Sequence, residues 1–138
     1  MPQSAEQAVH WYKLAAEQGH VGAQNNLAAS YRKGEGAAQS DDQAFVWYKK
    51  AAEQGHASAQ SVLGQLYQHG KGVAQDYAQA VSWFRKSADQ NNANGQCYLA
   101  VCYRTGWGLE KDVEKAKEWY RKAAALGDEA AKKALNTY

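Results

Sequence analysis

Tryptophan recurs at Trp11, Trp47, Trp83 and Trp119, a constant step of 36 residues. A fixed period of this size means one supersecondary unit copied in tandem, so the chain must fold as a stacked array and not around one globular centre. Its 138 residues hold a little under four units. Each unit buries its apolar face only against its neighbours. The period also sorts the residues: constant columns hold the stack together, and variable columns are free for another purpose.

Aligned by 36, the constant columns are explicit. Ala8, Ala44, Ala80 and Ala116 match, followed by Trp11-Tyr12, Trp47-Tyr48, Trp83-Phe84 and Trp119-Tyr120. Ala16, Ala52, Ala88 and Ala124 match, as do Leu27, Leu63, Leu99 and Leu135, and Tyr31, Tyr67 and Tyr103. Gly34-x-Gly36 returns as Gly70-x-Gly72 and Gly106-x-Gly108. Ala8, Trp11, Tyr12, Ala15 and Ala16 follow helical spacing, and Ala23, Leu27 and Tyr31 form a second helical stripe. The Trp and Tyr columns, set beside alanines, read as core packing and not as a ladder for stacking a ligand.

The helix ends are marked as well. Ser4, Ser40, Asp76 and Asp112 share a column of good N-caps, and Gln7 and Gln43 complete capping boxes with the two serines. Gly19, Gly55, Asn91 and Gly127 share the column where that helix should stop in a left-handed residue. The spacing therefore predicts B-type helices over 5–18, 41–54, 77–90 and 113–126, and A-type helices over 22–33, 58–69, 94–105 and, partially, 129–137. The units read as an N-terminal half-repeat at 4–21, repeats at 22–57, 58–93 and 94–127, and a C-terminal half-repeat at 128–138. No strands are expected.

Composition removes several function classes. Net charge is +2 with no block of like charges, and a nucleic-acid binder would carry a basic stripe. Single-stranded RNA reading, one base per helical repeat, is the remote alternative, and the Trp-aromatic and Gly-x-Gly columns do not suit it. No apolar run approaches the length of a membrane span, and the first residues lack a signal-peptide pattern. The pattern opens and closes in mid-unit, as expected of a segment of a longer chain, exported or cytoplasmic.

Nothing in the sequence points to catalysis or to a cofactor. There is no nucleophile elbow, no HExxH and no Cys/His constellation. Gly34-Glu35-Gly36 follows a helix and lacks the Lys-Ser/Thr of a phosphate loop. His20 and His56 stand one unit apart, where packed helices are about 8–10 Å distant, whereas the ligands of one zinc sit about 2 Å from it. No metal site is expected. Cys97 and Cys102, five residues apart on one helix, point to different faces and read as free thiols.

The string Leu27-Ala28-x-x-Tyr31-x-x-Gly34-x-Gly36, then Ala44-x-x-Trp47-Tyr48-Lys49-Lys50-Ala51-Ala52-Glu53-Gln54-Gly55-His56, resembles the Sel-1-like repeat family, a relative of the tetratricopeptide repeat. It returns through Leu63, Tyr67, Gly70, Gly72, Asp76, Ala80, Trp83-Phe84 and Ala88 and covers nearly the whole chain. The resemblance implies an all-α, right-handed superhelical solenoid of antiparallel helix pairs. It also implies a scaffold or adaptor for other proteins, commonly in bacterial signalling, envelope or host-interaction systems. Some cysteine-rich members bridge their repeats by disulfides. This chain departs from them, because its other copies carry no cysteine.

By analogy with tetratricopeptide repeats, the A helices line a concave face. Their variable columns are Asn25, Ser61 and Cys97; Ala29, Gln65 and Val101; Arg32, Gln68 and Arg104; and Lys33, His69 and Thr105. The three A windows hold no Asp or Glu, where even scattering would place three or four of the 14 acids. A mildly basic surface suits a protein or extended peptide with acidic side chains or a free C-terminus, since Arg pairs bidentately with carboxylate. The second expectation is a structural unit that stacks head to tail with its own copies.

Overall fold

The computed structural model describes residues 4–137. Eight helices run in order, α1 (Ala5–Glu17), α2 (Val21–Lys33), α3 (Asp41–Glu53), α4 (Ala57–His69), α5 (Tyr77–Ala88), α6 (Ala93–Thr105), α7 (Val113–Ala125) and α8 (Glu129–Leu135). No strand occurs among the described residues. The odd-numbered helices are the B type and the even-numbered the A type. Each packs on its sequence neighbours, and α4 also meets α6. The result is an all-α solenoid whose core is a continuous seam.

The caps place the boundaries. The side chains of Ser4, Ser40, Asp76 and Asp112 each accept from the backbone N–H three residues on. The Ser4–Gln7 capping box is complete. The expected box at Ser40 is only half made, because the Ser40 N–H already donates to the Tyr31 carbonyl at 2.9 Å and leaves the Gln43 side chain nothing to receive. At the other end of these helices Gly19, Gly55, Asn91 and Gly127 all have positive φ. The His20 N–H reaches back to the Ala15 carbonyl, and His56, Asn92 and Asp128 repeat the bond, closing the helix end in the Schellman manner.

The two glycines of each A-to-B loop do different things. Gly34, Gly70 and Gly106 end the A helices in left-handed conformation. Gly36, Gly72 and Gly108 also have positive φ, and a Cβ on them would overlap the carbonyl oxygens of Ala5, Asp41 and Tyr77. The loop therefore lies against the first turn of the preceding B helix, locking one unit onto the last.

Leu27, Leu63 and Leu99 are fully buried, with Tyr48, Phe84 and Tyr120 filling the space between them. The tryptophans differ from the expected core column. Trp83 is 9% exposed, but Trp11 is 58% exposed, and Trp47 and Trp119 are half-buried. Neighbouring residues on a helix point about 100° apart, so each Trp and the aromatic residue after it meet different neighbours, and both are buried only at Trp83-Phe84. The Tyr/Phe column takes the core and the Trp column the seam. There Lys50, Lys86 and Lys122 cover the rings of Trp47, Trp83 and Trp119 at 4.6, 4.3 and 4.2 Å. Trp11 has no such cover, since Leu14 stands in the lysine column.

Candidate functional site

The variable columns of the A helices do not all reach solvent. Ser61 and Gln68 are buried at 2% and 6% exposure. Ser61 Oγ donates to the Ser58 carbonyl, and the Gln68 carbonyl accepts from Gln75 Nε2 at 2.7 Å. Asn25, Ala29, Arg32, Gln65, Cys97, Val101 and Thr105 are half-buried, and Lys33, His69 and Arg104 are exposed. The Thr105 hydroxyl is turned onto the Val101 carbonyl at 2.8 Å. The available surface is thus made of Arg32, Lys33, His69 and Arg104 beside a mixed set of half-buried side chains, polar at Asn25 and Gln65 and apolar at Ala29 and Val101.

Arg32 reaches the neighbouring helix. The Arg32 guanidinium on α2 lies 6.0 Å from the centre of the Tyr48 ring. Burial raises the pKa of the Tyr98 phenol on α6, Cys97 and Asp128 raise it further, and Arg32 opposes them. Tyr98 was absent from the sequence-derived set, although its column, Asn26, Val62 and Tyr98, varies as much as those chosen. Asp128 is the other addition. Its carboxylate caps α8 through the Ala131 N–H at 2.9 Å and acts on Cys97, so an acid tempers the basic character expected near Arg104.

Cys97 and Cys102 are free thiols. Burial pushes Cys97 up to about 11, with Asp128 adding to the rise and Arg104 opposing it. Burial alone pushes Cys102 up to about 11. A raised thiol pKa favours the protonated form in the folded state, so the unfolded chain loses its proton first and stability falls as pH rises from about 9 towards 11. Against an ordinary value of 9.0, the thiolate fraction at pH 8 is reduced by about two orders of magnitude. Alkylation of the native protein at pH 8 is expected to run at least about a hundredfold slower than in denaturant, read by mass spectrometry.

A polar network along the seam had no place in the sequence-based reading. Gln24, Gln60 and Gln96 are buried at 4%, 4% and 2% exposure. Each Nε2 donates to the carbonyl that ends the preceding B helix, Ala16, Ala52 and Ala88, at 3.2, 3.1 and 3.4 Å. Gln54 Nε2 then donates to Gln24 Oε1 at 2.7 Å, and Gln90 Nε2 to Gln60 Oε1 at 2.8 Å. Identity of the column Gln24, Gln60 and Gln96 was the available signal. His56 takes a capping role, its Nδ1 accepting from the Ala59 N–H at 3.1 Å, whereas His20 caps nothing with its side chain. Among the described residues no group of three or more His, Cys, Asp or Glu side chains is placed to hold a metal, and no helix is long and apolar enough to cross a membrane.

Helix pairs of fixed length, stacked through one seam and carrying variable residues on the A helices, define a helical-repeat solenoid of the tetratricopeptide-like class. A family model described as the Sel1 repeat matches residues 1–20, 21–56, 57–92 and 93–128, and the chain belongs to the Sel1 repeat family. Repeats of this family generally serve as non-catalytic protein-interaction scaffolds.

Solved structures agree. A protective antigen present in uropathogenic Escherichia coli strains, with an SLR fold, is 42% identical with a TM-score of 0.89, over 93% of this chain and 27% of that one. A Sel1 repeat protein from Oxalobacter formigenes is 38% identical with a TM-score of 0.89, over 98% of this chain and 56% of that one. Helicobacter pylori cysteine rich protein B is 25% identical with a TM-score of 0.74, over 95% of this chain and 94% of that one. This chain thus spans about a quarter and about half of the first two structures. Among curated proteins, none matches.

Proposed function

We propose that the chain is a protein-interaction module that receives an extended, carboxylate-bearing peptide, or a protein C-terminus, across the A helices α2, α4 and α6. The observation that carries this reading is the placement of Arg32 and Lys33, His69, and Arg104 in the last turns of α2, α4 and α6, with Lys33, His69 and Arg104 exposed. The absence of any acid within α2, α4 and α6 supports it, as does the exposure of Arg104, His69 and Lys33 beside half-buried small side chains. A carboxylate beside Arg32 or Arg104 gains charge-assisted hydrogen bonds there.

The test is capture followed by mass spectrometry, with wild type compared to Arg32→Glu/Arg104→Glu. Captured partners are expected to carry acidic segments or free C-termini, and their synthetic peptides to bind the variant at least about tenfold more weakly by fluorescence anisotropy. Equal capture by both proteins overturns the reading.

A second reading rests on a separate observation. Trp11 and Leu14 on α1 are 58% and 41% exposed, whereas Trp83, in the same column as Trp11, is packed against Tyr48, Leu63 and their neighbours. Docking of Trp11 on a second copy gives head-to-tail stacking. Mass measured by light scattering should then rise with concentration, and Trp11→Ser should abolish the rise.

A further inference from the structure

The seam network is complete twice and incomplete once. At the first junction Gln54 donates to Gln24, and at the second Gln90 donates to Gln60. At the third, the residue one period beyond Gln90 is Leu126. Gln96 keeps its own bond to the Ala88 carbonyl, but its Oε1 is buried and accepts no hydrogen bond from the protein. A buried acceptor left without a donor is costly, and native interiors rarely tolerate one.

The oxygen itself is covered, but the residue that carries it borders open space. Gln96 lines a cavity of about 380 Å³ together with Asp89, Trp119, Lys122 and Leu126. The corresponding niche one unit earlier is built from the same columns, with Gln60, Trp83 and Lys86 in the places of Gln96, Trp119 and Lys122. The difference lies in what meets the glutamine. In the earlier niche an internal carboxamide meets it, whereas in the later one Leu126 stands 54% exposed beside it.

We propose that the niche between α5, α6 and α7 is a binding site for a glutamine side chain of a partner protein, which supplies in trans the carboxamide that Leu126 has replaced. The chemistry of the niche selects it. Gln96 Oε1 accepts from an N–H or O–H donor, and the donor at both intact junctions is a carboxamide N–H. Lys122 over the Trp119 ring disfavours a cationic donor and Asp89 an anionic group, and among neutral donors the carboxamide is the one that matches the intact junctions. The first intact junction sets the geometry, since Gln54 Nε2 divides its hydrogens between Gln24 Oε1 and the Lys50 carbonyl at 2.7 and 3.3 Å. Lys122 occupies the Lys50 column here. The exposed Leu126 gives the methylenes of an incoming glutamine an apolar surface. This site lies apart from Arg32 and Arg104, and its failure leaves the A-helix reading untouched.

The test uses side-chain amide NMR on the 15N-labelled chain, with the probes acetyl-Ala-Gln-Ala-amide and its norleucine and glutamate counterparts. The glutamine probe is expected to shift the Gln96 side-chain signals saturably, and the other two to bind at least about tenfold more weakly. Leu126→Gln, which completes the network internally, should abolish the shift while raising thermal stability, and Gln96→Leu should also abolish binding. The proposal is overturned if the glutamine probe produces no saturable shift, if norleucine matches it, or if Leu126→Gln responds as wild type does. Arg32→Glu/Arg104→Glu should leave the response unchanged, and loss of the response in that variant also overturns the proposal.

Discussion

Replacing Phe84 by alanine should lower stability by about 3–5 kcal/mol, a fall of roughly 10–20 °C in Tm for a chain of this size. The ring is fully buried, stacked on Tyr98 with centroids 5.1 Å apart. It lies so close to the α4 backbone that a Cβ on Gly64 would overlap it. Neighbouring helices cannot close over the void without moving the seam, so the cavity persists and its cost is added to the lost transfer energy. Trp11→Ala removes a larger ring, yet one 58% exposed, and should cost below about 1 kcal/mol. Denaturant titration of the two variants checks the contrast. A Phe84→Ala loss no larger than that of Trp11→Ala would show that the core does not pass through the Tyr/Phe column.

Gly72→Ala should cost about 2–4 kcal/mol, and Gly55→Ala only about 1 kcal/mol. Both residues have positive φ, +71° and +92°, so both pay the same kind of backbone penalty. They differ in the space around them. A methyl at Gly55 meets nothing within 4 Å, whereas one at Gly72 overlaps the Asp41 carbonyl and presses on Phe45. The excess at Gly72 measures the closeness of the loop to the first turn of α3. Equal losses by circular dichroism melting would mean that the A-to-B loops do not brace the units.

These two pairs also show how far the sequence could be read. The helices begin and end within about two residues of the spacing-based ranges, because caps and C′ glycines are local signals and the repeat prints each several times. Side-chain direction around a helix squeezed between two neighbours is not local. Ser61 and Gln68 stood in variable columns and looked available, but α4 has helices on more than one side and buries both. Trp and Tyr look alike in a pattern count, and only packing assigns one to the seam and the other to the core. The constant Gln24, Gln60 and Gln96 column marks a structural position, but its partner, the Ala16 carbonyl for Gln24, comes only from the fold. Asp128, 31 residues from Cys97 in sequence, joins the candidate surface only through the turn that starts α8.

Ser87 and Gly95 decide in which order such units can be joined. Ser87 stands where its sister unit has Ala51, and its hydroxyl donates to the Ala57 carbonyl at 2.8 Å. Gly95 stands where the sister has Ala59, and a Cβ there would collide with the Ser87 side chain. The added hydroxyl and the missing methyl fall on opposite sides of a unit boundary. Swapping 58–93 for a duplicate of 22–57 would set alanine opposite Gly95 and open a hole. Placing 58–93 before a unit that begins like 58–93 itself would press serine against alanine. The units are thus not interchangeable bricks: the joint is cut to fit one order, and shuffling the copies is expected to cost stability at every mismatched face.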